Sequence, residues 1–256
     1  MARVPESLLA PWLRGNDRFH QLLDVLELCT HGIGRLPHFV KAAEEWDNQL
    51  RKLDVEVDNS GLEHLQSMAA KAEKESSLGF PTLHAHVVVS LWSIAENTVE
   101  DFMVEWVKYD SKFLEKDTIP RAKISITELL LLDEDERIRY MLDEIQKHLG
   151  CAGARGIEKF ERLLSLCDLG GGVEDSLRKD LIELCEVRNA IVHRGSVVDR
   201  KLLRACQWIT WKPGDRIDLD TATCNRYIRA FDAYMGCAMM RLVKRFKETP
   251  VSESSL

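Results

Sequence analysis

The sequence predicts a mainly α-helical protein, an antiparallel helical bundle that carries one small β-hairpin and is preceded by a helical extension. Three observations lead to this class. Apolar residues recur at steps of three and four over long stretches, as in Val88, Leu91, Trp92, Ala95, Val99, Phe102, Met103 and Trp106, the spacing of one face of a helix. Two pairs with capping-box spacing, Ser60 with Glu63 and Asp133 with Glu136, stand at the start of such segments. The breaks between periodic segments are short, which favours antiparallel neighbours.

From the N-terminus, residues 16–29 and 37–53 read as two helices joined by a polar connector, with Leu22, Leu23, Leu26 and then Phe39, Ala43, Trp46, Leu50 at helical spacing. A third segment opens at Ser60-Gly61-Leu62-Glu63. The stretch 73–81, EKESSLGFP, is polar and then broken by Gly79 and Pro81, so a boundary is placed there. Residues 1–80 are then an N-terminal helical extension, residues 81–248 the helical domain, and residues 249–256 a disordered tail. The domain begins with a long helix over 82–109, whose broad apolar stripe makes it central to the bundle. A helix capped by Asp133 follows to about Leu149, and Ile157, Phe160, Leu164 and Cys167 mark another, stopped by Gly170-Gly171-Gly172. From about Glu174 a further helix carries Leu177, Leu181, Leu184, Arg188 and Ile191, with Gly195 as its C-cap. Residues 208–211 and 216–219 around the turn Lys212-Pro213-Gly214-Asp215 read as the hairpin. The last helix covers 221–247. No internal repeat is apparent.

Composition excludes several classes. With 256 residues, 45% of them hydrophobic and 30% charged, and only 14 Gly and 7 Pro, the chain is neither collagen-like nor mostly disordered. No apolar run exceeds four residues, Leu129 to Leu132 being one, whereas a membrane span needs about 20 and a signal-peptide core roughly 7 to 15; neither membrane nor export is expected. The seven Cys are scattered without a C-x-x-C. They fit neither a zinc ribbon nor a disulfide framework, so the reducing cytoplasm is the expected compartment and core packing their expected role. No P-loop and no G-x-G-x-x-G is present. His84-x-His86 lacks a third ligand at metal-site spacing, and no metal or other cofactor is expected.

The net charge is −7, yet residues 178–204 sum to +3 and residues 225–247 to +5. The net charge argues against nonspecific coating of nucleic acid; the C-terminal part is locally basic on an acidic protein, either a solvated face or, with the motif helix, a phosphate-tracking surface. Trp208 and Trp211 lie three apart, on opposite faces of a strand, so packing in the hairpin is favoured over stacking on bases.

One helix breaks its own pattern. Arg188 takes an apolar slot, Asn189 and His193 are four apart and share a face, and Arg194 follows. The segment RNAIVHRG gathers two guanidinium groups, an amide and an imidazole within two turns at a helix end. These residues resemble the R-x4-6-H motif of the HEPN superfamily (higher eukaryotes and prokaryotes nucleotide-binding), with Asn189 in the usual polar slot. The resemblance covers residues 82–247, includes Trp92-Ser93-Ile94-Ala95-Glu96-Asn97 in the first long helix, and with Val197-Val198-Asp199 looks like the bacterial defence and toxin-like branch. It implies a metal-independent endoribonuclease, with RNA as substrate, in an antiviral defence or toxin–antitoxin system and hence with an antitoxin or regulatory protein as partner. It also implies a homodimer whose two motifs share one cleft. The catalytic residues would be Arg188, Asn189 and His193; Arg194 and Glu96 or Asn97 would contact substrate. An imidazole moves protons near neutral pH and a guanidinium stabilises a phosphorane, so the residue chemistry agrees. The alternative is a non-catalytic helical module of the same kind that binds a protein or nucleotide, in which Arg188 and His193 only cap and pair.

Overall fold

In the computed structural model, which describes residues 3–55, 61–110, 112–115, 129–149, 154 and 156–248, the chain is mainly helical. Its α-helices are α1 (Glu6–Lys52), α2 (Leu62–Ser77), α3 (Pro81–Tyr109), α4 (Glu134–His148), α5 (Glu158–Leu166), α6 (Asp175–Arg194), α7 (Arg200–Ala205) and α8 (Thr221–Glu248), with a 3-10 turn at Phe113–Glu115. Contacts divide the chain into a larger unit, comprising Met1–Phe19, Val88–Ile217 and Arg226–Leu256, and a smaller one, comprising His20–Val87 and Asp218–Asn225. These limits differ from the boundary drawn at residue 80: the first turns of α1 bury Leu8, Trp12 and Phe19 in the larger unit.

The core of the larger unit is aromatic. Trp92 stacks on Phe160 at 5.2 Å between ring centres, and Phe160 on Tyr234 at 6.3 Å. Trp12 meets Phe102 at 5.4 Å, and Phe19 meets Phe231 at 5.0 Å. Such pairs add to the burial of large apolar surfaces. The stripe of α3 read from the sequence is what packs: Val88, Leu91, Val99, Phe102, Met103 and Trp106 are all buried. Helix α4 has its capping box as read, with Asp133 Oδ1 accepting from Glu136 N at 2.8 Å and Glu136 Oε2 accepting from Asp133 N at 2.9 Å.

In the smaller unit α2 returns along α1. Gln66 Nε2 donates to Glu44 at 2.7 Å, and Val40, Ala69 and Ala72 are buried. Buried His84 donates from Nδ1 to the Leu219 carbonyl at 2.9 Å, the only role that ring nitrogen can take opposite a carbonyl. That hydrogen bond gives His84 a structural task.

Three expectations are corrected. The two N-terminal helices are one, because α1 runs unbroken through Gly32, Gly34 and Pro37. A proline removes one N–H at a cost of about 3 kcal/mol, and the turns on both sides hold; Thr30 Oγ1 bonds the carbonyls of Leu26 and Glu27 at 2.9 Å each. Helix α2 starts at Leu62 with Gly61 as an N-cap that makes no side-chain bond, while Ser60 and residues 249–256, read as the disordered tail, lie outside the described residues. No strand forms in 208–219. The turn closes, with Lys212 N donating to Asp215 Oδ2 at 2.7 Å, but Arg216 bridges to Val197 rather than across the turn. Ile217 N to Ser196 O at 2.8 Å and Val198 N to Asp215 O at 2.9 Å complete that pairing. The chain leaving α6 is a nearer partner for 214–217 than 208–211 is.

Candidate active site at the end of helix α6

Helix α6 ends because Gly195 adopts the left-handed conformation, φ 61° and ψ 36°, and Ser196 follows at φ 63°. Gly195 N and Ser196 N then both turn back to the Ala190 carbonyl, Ser196 at 3.2 Å, which closes the last turn. Ala190 and Val187 are fully buried, which fixes the rotation of the helix about its axis. Arg188 and Asn189 are left half-buried and His193 exposed.

Arg188 is neither sealed nor free. Its side chain keeps 21% exposure, its Nη2 lies 3.6 Å from Glu96 Oε2, and its Nη1 donates to Asn189 Oδ1 at 3.1 Å. Its Nε is buried without a hydrogen-bond partner among the described residues. Asn189 Nδ2 points back at Cys185 Sγ, 3.7 Å away. Asn189 therefore grips the guanidinium with its oxygen and the helix with its nitrogen, so it acts on position. The His193 ring makes no hydrogen bond to a described residue and is open to solvent at the positive-charge-favouring end of the helix.

Of the other residues read as site residues, Glu96 is brought to Arg188. Asn97 is exposed on α3 and contacts no motif side chain among the described residues. Arg194 turns away to Asp199 Oδ2 at 2.5 Å. Asp199 Oδ1 in turn caps α7 by accepting from Leu202 N at 2.8 Å, so Arg194 ties the end of the motif helix to the next helix. Three of the six basic side chains in 225–247 are also spent on carboxylates of other helices and loops inside the larger unit. Arg226 pairs with Asp180 and with Glu183 at 2.5 Å, Arg241 with Glu161 at 2.8 Å, and Arg245 with Asp168 at 2.9 Å.

Three neighbours were not legible as site residues. Cys185 is buried beside Glu186, and that burial and charge push its thiol up to about 12; it is no thiolate nucleophile. Glu186 is itself 3% exposed, with Oε2 lacking a hydrogen-bond partner among the described residues. A turn along α3 from Glu96, the carboxyl of Glu100 is raised by burial, against the opposing charge of Lys159. Each sits at an ordinary helical position, and only the placing of α3 against α6 makes them a group. Trp208, read as hairpin packing, donates from Nε1 to Glu183 Oε2 at 2.6 Å and stays 41% exposed.

No family model, no curated protein and no solved structure matches the chain.

Proposed function

We propose that the chain is a metal-independent endoribonuclease of the HEPN type. The reading rests on one observation: the helix end presents an exposed imidazole, His193, on the same helix as a guanidinium, Arg188, that is held by Asn189 and still reachable from solvent. In this reading His193 takes the proton of the ribose 2′-OH, or returns one to the departing 5′-oxygen. Arg188 donates to the phosphate as it becomes a phosphorane. Asn189 positions Arg188 rather than touching substrate. Glu96 is the ground-state partner that the phosphate displaces. An ion pair at 3.6 Å between groups 21% and 28% exposed is worth at most about 1 kcal/mol, whereas charge-assisted bonds from a guanidinium to phosphate are worth about 1.5–3 kcal/mol.

Attack and departure each need a proton transfer, and one motif supplies one imidazole. A homodimer that places two motifs in one cleft supplies both. RNA is the substrate, and an antitoxin or regulatory protein that covers the cleft would silence it.

The second reading, a non-catalytic helical module, draws support from the two ion pairs Arg188–Glu96 and Arg194–Asp199, which neutralise both motif arginines at rest. Incubating the pure protein with a mixed RNA pool in EDTA separates the two. The nuclease leaves 2′,3′-cyclic phosphate and 5′-hydroxyl ends, and activity lost in EDTA but restored by Mg²⁺ or Mn²⁺ refutes it. RNA left intact with and without metal favours the module.

A further inference from the structure

Helix α7 carries cations that its own chain does not neutralise. Residues 200–214 hold Arg200, Lys201, Arg204 and Lys212 and no carboxylate. Leu202 is fully buried and fixes the inward face of this short helix, so Arg200 and Arg204, four apart, share the outward face and Lys201 flanks them. All three are exposed, and none pairs with a carboxylate among the described residues. The acidic residues at the two ends of the stretch are already engaged. Asp199 holds Arg194 with Oδ2 and caps α7 with Oδ1, and Asp215 Oδ2 accepts from Lys212 N. In α8, by contrast, Arg226, Arg241 and Arg245 all meet carboxylates.

Trp208 stands just beyond α7. Its Nε1 donates to Glu183 Oε2 at 2.6 Å, a short bond to a carboxylate, and Glu183 is itself buried on α6 among three donors. The indole is thus held by one edge while 41% of the residue stays exposed. A ring fixed in this way is ordered before any ligand arrives, so binding to it does not have to order it.

Both features are fastened to the motif helix. The Arg194–Asp199 pair ties the start of α7 to the end of α6, next to His193. Glu183, the anchor of Trp208, lies ten residues before His193 on the same helix, ~15 Å along its axis. We propose that α7 and Trp208 form a subsite for single-stranded RNA, in which Arg200, Lys201 and Arg204 hold phosphates near the cut and Trp208 stacks an unpaired base. The proposal rests on the reading that RNA is the substrate, and it narrows that substrate to unpaired strands. Guanidinium and ammonium groups attract phosphates whatever the sequence, and every base offers a π-face to an indole. A duplex keeps its bases stacked on one another and offers the ring none. An acidic protein surface would meet the cations; the anchored, open indole is what selects a strand with free bases.

The test measures binding apart from cleavage, on the full chain. The probe is a fluorescein-labelled single-stranded RNA of about 12 nucleotides, mixed in sequence and 2′-O-methylated throughout so that no 2′-OH can attack; anisotropy reads its affinity. Trp208→Ala weakens binding about 5- to 150-fold, the range of one lost base stack, and Trp208→Phe recovers part of that loss. Both variants lose the bond to Glu183 alike, so the difference between them reads stacking and not stability. Arg200→Ala with Lys201→Ala and Arg204→Ala lowers the slope of log affinity against log salt by about 2, at roughly 0.7 for each phosphate contact on a single strand. These results without cleavage of unmodified RNA leave the subsite standing and remove the nuclease reading. Cleavage of unmodified RNA with equal affinities in the Ala and Phe variants overturns the subsite and leaves the nuclease. A wild type that does not bind the probe, equal affinity for the probe and its duplex, or an unchanged salt slope in the triple variant also overturns it.

Discussion

The guanidinium of Arg188 on α6 and the carboxylate of Glu96 on α3 lie 3.6 Å apart, close enough for an ion pair and too far for a hydrogen bond. Both keep more than a fifth of their side-chain surface in water, so their attraction is screened. A double-mutant cycle with Arg188→Ala and Glu96→Ala, read by urea unfolding, is expected to give a coupling of about 0.2–1 kcal/mol. A coupling above about 3 kcal/mol, the range of a sealed pair, would make Arg188 an architectural residue and count against its reaching a phosphate.

His193 is exposed and bonded to no described side chain. Its replacement by Ala is therefore expected to leave the melting temperature unchanged and to lower the rate of RNA cleavage by about two to four orders of magnitude. Arg188→Ala is expected to cost a similar factor in rate. Rates and melting curves measured on the same preparations decide the matter: a fall in stability that parallels the fall in rate would assign both residues to the fold.

Much of this arrangement was legible in the sequence because it is local. The cap of α4 needs only Asp133 and Glu136, the end of α6 needs only Gly195, and the odd position of Arg188 shows against Leu181 and Leu184 within the same helix. What was not legible depends on distant partners. Arg194 looks like a substrate ligand until Asp199 is placed beside it, and the basic count of α8 looks like a surface until Glu161, Asp168, Asp180 and Glu183 are seen to absorb Arg226, Arg241 and Arg245, half of it. The hairpin failed for the same reason: its turn chemistry was read correctly, but 196–198, supplied by the end of another helix, outcompeted the local strand. Breaker residues mislead in α1, where residues 30–36 read as a connector and Pro37 as the start of a second helix, yet Gly32, Gly34 and Pro37 are all carried inside one helix.

Glu183 is 2% exposed and accepts hydrogen bonds from Arg226 at 2.5 Å, Tyr227 at 2.7 Å and Trp208 at 2.6 Å. Removing it leaves the Tyr227 and Trp208 donors without this acceptor and Arg226 with Asp180 alone. Glu183→Ala is expected to destabilise the protein by roughly 1–3 kcal/mol, with a red shift of Trp208 emission as the indole loses its anchor. Arg226→Met with Glu183→Leu, which removes both charges, should recover part of the loss. Equal destabilisation in the single and double variants would show that the network does not act through charge.

The last prediction concerns alkaline pH. The thiols of Cys185 and Cys224 are both pushed up to about 12, Cys185 by burial and then by Glu186, Cys224 by burial alone. In the unfolded chain they return to ordinary thiol values near 9. Below that pH both states hold the proton and stability is at its full value. Between about 9 and 12 the unfolded state releases protons that the folded state keeps, so unfolding gains free energy and stability falls as pH rises. Burial also raises the hydroxyls of Tyr227 and Tyr234, which adds to the fall with the same sign. Cys185→Ala is expected to lower the melting temperature slightly at pH 7 and to make its decline between pH 8.5 and 11 shallower than in the wild type. Two curves that run parallel over that interval would show that this thiol does not titrate on unfolding, and would remove the physical ground for treating Cys185 as inert beside the motif.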